Sequence, residues 1–511
     1  MKMKLAFATA TALGLLMGNA MADSNKTASE QDGNDNSLLV RQDGKSNTAG
    51  NSLTTNNRLY QFGDNNSITV RQKGDSNNVG NDGSADWRGL HQTGVKPDWQ
   101  PLKRGDGNVI VIDQTSGAVT GTANGNKVAS IRQSSGTGGS ATTNSAIITQ
   151  DLGGAGDRAA HYVGRVVQEH TTGVANTLVV TQTGAHSRTA GGNAQSNRIG
   201  GYDDNGYQDW FGGIKQKGSG NSLTVTQEDL AERRVATRGP GNVIFLLDQD
   251  GTTLSATVTQ NGFQNYVKKI EQTGSGNTAT VSLTGTGNGA VLPTGIWAMD
   301  NLPKVGVLSG AAGEAAAAYA SSVVQKNGSG NAVSYEVLNA DGNQFGFYQN
   351  GSGNQAVSIS ISGDANQLGV SQEGTNNTLA LTNITGSENI IGLKQDGTSN
   401  LATINVFGDQ NVGYSNFNSS KIASGLGLTA GLLEQYGTSN EVTLTVNGGS
   451  GNVFASRQGA LVSSSLPWGS NNKIDATQTG SDNEAAVLQA GSSNLALVSQ
   501  NGSGNSVSIS Q

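Results

Sequence analysis

Polar and apolar positions alternate over short runs of this chain. Asn366-Gln-Leu368-Gly-Val370-Ser-Gln372 and Asn389-Ile-Ile391-Gly-Leu393-Lys-Gln395 each put an asparagine, two aliphatics and a glutamine on one parity. A period of two is that of a β-strand, so one face carries all four residues. The other parity is mostly small or polar, the character of a solvent face. Between runs, Gln-x-Gly-x-x-Asn supplies a corner, with glycine free to take positive φ and asparagine tolerant of it.

The runs recur at a fixed step. Gln325, Gln349, Gln372, Gln395, Gln435 and Gln458 mark a unit, with Val337, Ile361, Ile384, Val406 and Val446 at the half-way points. Gly351 and Asn354, Gly374 and Asn377, Gly397 and Asn400, and Gly437 and Asn440 follow the glutamines. From Gln349 to Gln372 to Gln395 the step is 23 residues, split into halves of 11 or 12. Such a period predicts a solenoid. The fold expected is all-β: a stacked two-sheet β-solenoid of strand–turn–strand coils of about 22–23 residues, cross-β-like and amyloid in character, with irregular loop inserts.

Stacked coils place like residues above like at about 4.8 Å, with the two sheets about 10 Å apart. An inward amide is costly to bury alone. In a ladder each amide donates to one neighbour and accepts from the other, so the stack satisfies what a single rung cannot. The alternation then predicts a glutamine ladder in one sheet and an aliphatic ladder in the facing one. Near the end of the sequence Gln478, Gln489, Gln500 and Gln511 follow at steps of 11, so both sheets carry glutamine there. Gly480 and Asn483, Gly491 and Asn494, and Gly502 and Asn505 supply those corners. These glutamines, asparagines and turn glycines are the candidate assembly determinants.

Composition narrows the choices. The chain holds 74 glycines and only 34% hydrophobic residues, which would suit disorder, but the apolar residues are spaced rather than scattered. Met1 to Ala22 has the parts of a secretory signal peptide: Lys2 and Lys4, the apolar Leu5–Gly18, and Ala20-Met-Ala22. Residues 23–35 read as a flexible polar leader. Residues 36–283 carry irregular repeats with long inserts, and 284–322 form an insert whose alanine-rich Gly310–Ala320 can make a short helix. Residues 323–511 carry regular repeats. Without the signal peptide the chain has 29 basic against 38 acidic residues, which argues against a nucleic-acid partner. With no cysteine, an exported chain must be held by its stacked backbone rather than by disulfides.

The earlier units run Asn36 to Gln42, Asn66 to Gln72, Asn108 to Gln114, Asn144 to Gln150, Asn176 to Gln182 and Asn221 to Gln227. Asn126 to Gln133, Asn242 to Gln249 and Asn265 to Gln272 each carry one extra residue, which predicts a bulge or slipped corner. Inserts are expected at roughly 79–107, 151–175, 184–215, 228–241, 284–322, 412–434 and 459–471. All six prolines, all five tryptophans and all four histidines fall in them, clear of the ladders.

Catalytic chemistry is not written here. His91, His161, His170 and His186 lack metal-ligand spacing, and Gly285-Thr-Gly287-Asn-Gly289 opens no helix after a strand and has no lysine in place. Asp364, Asp396 and Asp409 read as solvated turn charges, weak calcium binding being the competing reading. Tyr60, Phe345 and Phe347 read as core. No enzyme, cofactor, metal or small-molecule substrate is expected.

The string Gln-x-Gly-x-x-Asn-x-aliphatic-x-aliphatic-x-Gln, best kept in Gln216–Gln227, Gln489–Gln500 and Gln500–Gln511, resembles the curlin repeat of bacterial curli subunits. That resemblance implies Sec secretion, passage through an outer-membrane curli-type channel, and polymerisation outside the cell into functional amyloid. Such fibres, a kind of fimbrium or pilus, serve biofilm matrix and cell adhesion. Its partners would be copies of itself and a nucleator subunit. The length and the large inserts depart from the usual subunit. Two other readings follow from the residues: a monomeric surface adhesin using Trp87, Trp99, Trp210, Trp297 and Trp468, and a polysaccharide-acting β-helix enzyme. The second lacks acidic groove residues. The last unit, through Val507 and Ile509 to Gln511, is expected to lack a polar cap and so to leave an open edge.

Overall fold

The computed structural model describes residues 24–50, 58–80, 89–94, 106–116, 125–135, 143–152, 161–170, 173–184, 197–200, 213–228, 241–291, 304–305, 308–338, 340–413, 421–459 and 469–511. The segment read as a signal peptide, every proline, every tryptophan and His186 lie outside these residues.

Two parallel sheets face each other, one of 20 strand segments and one of 15. The chain alternates between them: Gln344–Ser352 in the first sheet, Gln355–Ser362 in the second, Gln367–Thr375 in the first, Thr378–Thr385 in the second. Register advances one coil at a time, pairing Gln349 with Gln372 and Gln372 with Gln395. This is the two-sheet solenoid that the periodicity predicts. Leu368, Val370, Leu379, Ile391 and Leu393 belong to one apolar column that runs continuously from Ala49 to Val498. Burying each such side chain contributes about 1.5–3 kcal/mol, which makes the column the main favourable term.

An aromatic cluster interrupts the aliphatic column. Tyr335 packs at 4.9 Å from Phe345 and 5.6 Å from Phe347, all three fully buried. Phe345 and Phe347 are therefore core, as expected. Tyr60 is buried too, at 7% exposed, but on the outer face of the first sheet, between Arg58 (4.7 Å) and His91 (5.9 Å), because Leu59 and Gln61 take the inward parity. The Tyr335 hydroxyl has no hydrogen-bond partner among the described residues. Burial without a partner costs about 1–3 kcal/mol. Tyr335→Phe is accordingly expected to raise thermal stability, checked by the melting midpoint; a fall would show that the hydroxyl is satisfied.

The extra residues predicted in three early units do form bulges, and these stack. Val128 pairs with Val163 and Ser130 with Arg165, leaving Ala129 and Gly164 out of register. Ile244 and Val267, then Leu246 and Lys269, repeat this around Phe245 and Lys268. Neighbouring coils break at the same point, between Thr48–Ala49 and Arg58–Phe62, Asn78–Val79 and Gly89–Gly94, and Arg198–Ile199 and Gly213–Ser219. Bulges and inserts thus share one column of the first sheet.

Three expectations need correction. Within residues 23–35, Lys26–Thr27 and Ser29–Asp32 are strands of the first coil, not a flexible leader. Thr27 and Ser29 sit in register with buried Ala49 and Leu59, so the inward positions carried no hydrophobic signal. Strands Gly89–Gly94 and Tyr162–Glu169, and the first three residues of Gly213–Ser219, lie in ranges read as inserts. The coil at Tyr162 opens with His161 instead of asparagine and carries the bulge, which hid its period. Finally, the small outward residues of the first sheet are not all solvent-facing. Helix α1 (Gly310–Ala316) packs on them.

The bed of α1 is a glycine column. A Cβ on Gly369 would lie 2.1 Å from the Ala312 carbonyl oxygen, and one on Gly392 2.1 Å from that of Ala311. Ala311, Ala312, Ala315, Ala316 and Leu308 close over Ile390 and Leu432. Short helix α2 (Lys421–Gly425) packs near the far end of the same sheet, with Ala423 against Ala455 and Ala486. A two-residue antiparallel pair, Ala290–Val291 with Lys304–Val305, completes the insert before α1.

Candidate assembly site

The first sheet holds an unbroken chain of side-chain amides. In each of its coils the Nε2 group of one glutamine donates to Oε1 of the next: Gln31, Gln61, Gln92, Gln133, Gln168, Gln216, Gln249 and Gln272 in the first half of the rod. Gln325, Gln349, Gln372, Gln395, Gln435, Gln458, Gln489 and Gln511 continue it without a gap. The Gln349–Gln372 and Gln372–Gln395 bonds are 2.7 Å. The second Nε2 proton closes onto the corner: Gln372 reaches the carbonyls of Gln355 (2.9 Å) and Asn377 (3.1 Å). All donors point the same way along the rod, so the column has a direction.

The second sheet is mixed. Val337, Ile361, Ile384, Val406 and Val446 stack in register, with Leu283 below them. Gln478 stands on Val446 and donates to Gln500 at 2.9 Å. The alternation of glutamine and aliphatic sheets is confined to this middle part of the rod, however. Gln42, Gln72, Gln114, Gln150 and Gln182 form a second amide column in the early coils. It ends where Gln260 donates to Gln227, with aliphatic Leu283 two rungs above Gln227. Gln260 Oε1 and Gln478 Oε1 are buried without partners at the two junctions with the aliphatic stretch, since an aliphatic neighbour donates nothing.

Asparagines form two further ladders at the corners. At the corner entering the second sheet, the backbone N–H groups of Asn354, Asn377, Asn400 and Asn440 each donate to Oδ1 of the asparagine one coil earlier, and Asn494 does so onto Asn472. Asn483 and Asn505 do the same at the opposite corner. The turn glycines Gly351, Gly374, Gly397, Gly437, Gly480, Gly491 and Gly502 all adopt positive φ, between 83° and 127°. Asp364 and Asp409 are not simply solvated: each accepts a backbone N–H from the preceding coil, Asp341 at 2.8 Å and Ser387 at 2.7 Å. Asp396 instead lies beside Glu373 on the outer face of the first sheet, where burial pushes both carboxyls up.

His161 takes an asparagine's place. Its backbone N–H donates to Asn126 Oδ1 at 3.3 Å, and its Nε2 lies 3.2 Å from the Asp151 carbonyl. Burial pushes its imidazole down to about 4, against a smaller upward pull from Asp151 and nearby carbonyls. The unfolded chain therefore binds a proton that the folded chain refuses. This share of stability is present above pH 6.5 and is lost as pH falls towards 4. Its size is on the order of 3 kcal/mol. His161→Asn is expected to flatten the fall in melting midpoint between pH 7 and pH 4.5; an unchanged slope would place the acid lability elsewhere.

The curlin associated repeat matches residues 33–74, 469–502 and 480–511, which hold coils from both ends of the rod. No curated protein matches the chain. Among the described residues no group of histidines, aspartates or glutamates is placed to hold a metal ion. The chain thus carries the curlin associated repeat in coils at both ends of the described rod, a repeat whose family is structural.

Proposed function

We propose that the chain is an extracellular structural subunit that adds to copies of itself end to end, giving curli-like amyloid fibres that serve biofilm matrix and cell adhesion. The observation that carries this reading is the open edge at each end of the described rod. Among the described residues, strand Ser506–Ser510 pairs only with Glu484–Gln489, and Leu495–Asn501 only with Lys473–Thr479. At the other end Ser29–Asp32 and Ser37–Asp43 likewise have one neighbour each. An open parallel edge is a template for further strands. The amide column adds polarity: Gln31 keeps an unused acceptor oxygen at one end, and the exposed Gln511 amide offers its nitrogen at the other. Leu495 and Leu497, 54% and 67% exposed on the last rung of the second sheet, would be covered by the next subunit. Sec export, an outer-membrane channel and a nucleator belong to the same reading and rest on the repeat.

Gln489, Gln500 and Gln511 changed together to alanine are expected to slow fibre growth about tenfold, the equivalent of about 1.4 kcal/mol at the growing end. Dye-detected growth of the secreted protein measures it. Unchanged kinetics, or a wild-type rod still monomeric after a day's incubation, would overturn the proposal.

A further inference from the structure

The outer face of the first sheet carries a second feature, remote from the amide columns and the rod ends. On strand Gln344–Ser352, Phe347 and Gln349 take the inward parity, so Tyr348 stands outward, between Val324 and Ser371 on the adjacent rungs. The short helical turn Ala317–Tyr319, which follows α1, comes down beside it. Gly346 makes the room: a Cβ there would lie 2.9 Å from the Tyr319 carbonyl oxygen and 2.8 Å from Leu308 Cδ1. The Tyr319 ring consequently lies flat against that of Tyr348, with centroids 4.4 Å apart and planes 6° apart. Both residues are half-buried, which leaves part of each ring open to solvent.

The chemistry of this contact sets it apart. Tyr60 meets Phe62 and His91, and Tyr335 meets Phe345 and Phe347, so those contacts each hold a single phenol. Here two phenols face each other, and their hydroxyls are hydrogen-bonded. Burial, with Tyr319 and Glu373 alongside, pushes the Tyr348 phenol up, so it keeps its proton at neutral pH. A neutral phenol that loses one electron gives up its hydroxyl proton as well, and the unpaired electron spreads to the ring carbons beside the oxygen, the Cε positions. Two such radicals held in contact couple far faster than two that must meet by diffusion. The fold also gives the pair a mechanical position. Tyr319 ends the segment that carries α1, while Tyr348 belongs to the stacked coils beneath it.

We propose that Tyr319 and Tyr348 are a site of oxidative cross-linking, which fastens the α1 segment covalently to the first sheet. The oxidant class is hydrogen peroxide acting through a haem peroxidase. It takes one electron and one hydroxyl proton from each phenol and is itself reduced to two waters. A bond then forms between Cε of one ring and Cε of the other, and the proton released from each of these carbons restores a hydroxyl. The net change is the loss of two hydrogens and the gain of one bond between the rings. In the test the full chain, in dilute solution, is treated with peroxide and a soluble haem peroxidase, digested, and read by mass spectrometry and dityrosine fluorescence. A peptide holding Tyr319 joined to one holding Tyr348 is expected, lighter than their sum by two hydrogens, in a yield independent of chain concentration. Tyr319→Phe and Tyr348→Phe are each expected to abolish it, and Tyr60→Phe to leave it unchanged. In the linked chain, amide exchange within Gly310–Ala316 is expected to slow at least about tenfold, because the tie holds the segment down. The proposal is overturned if no such peptide forms, if its yield rises with chain concentration, or if either variant at the pair keeps it. It is equally overturned if Tyr60→Phe removes the link, or if α1 of the linked chain exchanges as before.

Discussion

Gln372→Ala is expected to cost about 4 kcal/mol, the sum of a large-to-small cavity and an orphaned acceptor. Gln372 is fully buried, accepts from Gln349, donates to Gln395 and ties two corner carbonyls. Its loss leaves Gln395 Oε1 without a donor, while Gln349 keeps the Ala332 and Asn354 carbonyls. Gln372→Leu fills the space and leaves only the orphan, so its cost is expected to fall to about half. In a stacked array each coil contacts only its neighbours, so the damage is local. Amide hydrogen exchange should rise in Gln344–Ser352, Gln367–Thr375 and Ile390–Thr398 and stay low in the early coils. Equal costs for alanine and leucine would mean that the amide ladder contributes nothing beyond volume.

The second large effect is expected at a corner. Gly374 has φ +100°, and a Cβ there would lie 2.1 Å from the carbonyl oxygen of Gly397, the same residue one coil on. The left-handed backbone alone costs a side chain about 1–3 kcal/mol. Relief of the clash requires the stacked glycine column from Gly351 to Gly437 to spread, which works against the 2.7 Å amide bonds beside it. Gly374→Ala is therefore expected to destabilise by at least about 3 kcal/mol and to expose the chain to proteolysis at residues 374–377. Gly342→Ala is the control: it has φ +67° but no atom within 4 Å of an added Cβ, so it reports backbone strain alone. Similar losses at the two positions would remove the packing part of this argument.

These expectations also show what the sequence could reveal. The 23-residue step through Gln349, Gln372 and Gln395 and the half-way aliphatics gave both sheets and their register, because inward parity and coil length are properties of the chain itself. Coils with weak or shifted parity were hidden. Gln31 follows a strand whose inward residues are Thr27 and Ser29, and Gln168 follows a bulge that opens on His161. The glycines at Gly369 and Gly392 read as solvent-facing because the helix that covers them is distant in sequence; only the alanine run at 310–320 hinted at it. The aspartates of the corners were legible as turn residues but not as acceptors for the coil before, a contact that depends on the stack.

The central physical claim is that glutamine side chains bond to one another in line along the rod. Solid-state NMR on protein labelled with 13C and 15N in glutamine alone tests it most directly, by magnetisation transfer from Nε2 of one glutamine to Cδ of another. The structure calls for such transfer between Gln349 and Gln372 and between Gln372 and Gln395, abolished at these pairs by Gln372→Leu. A spectrum showing only intraresidue transfer, with the strands otherwise intact, would contradict the account.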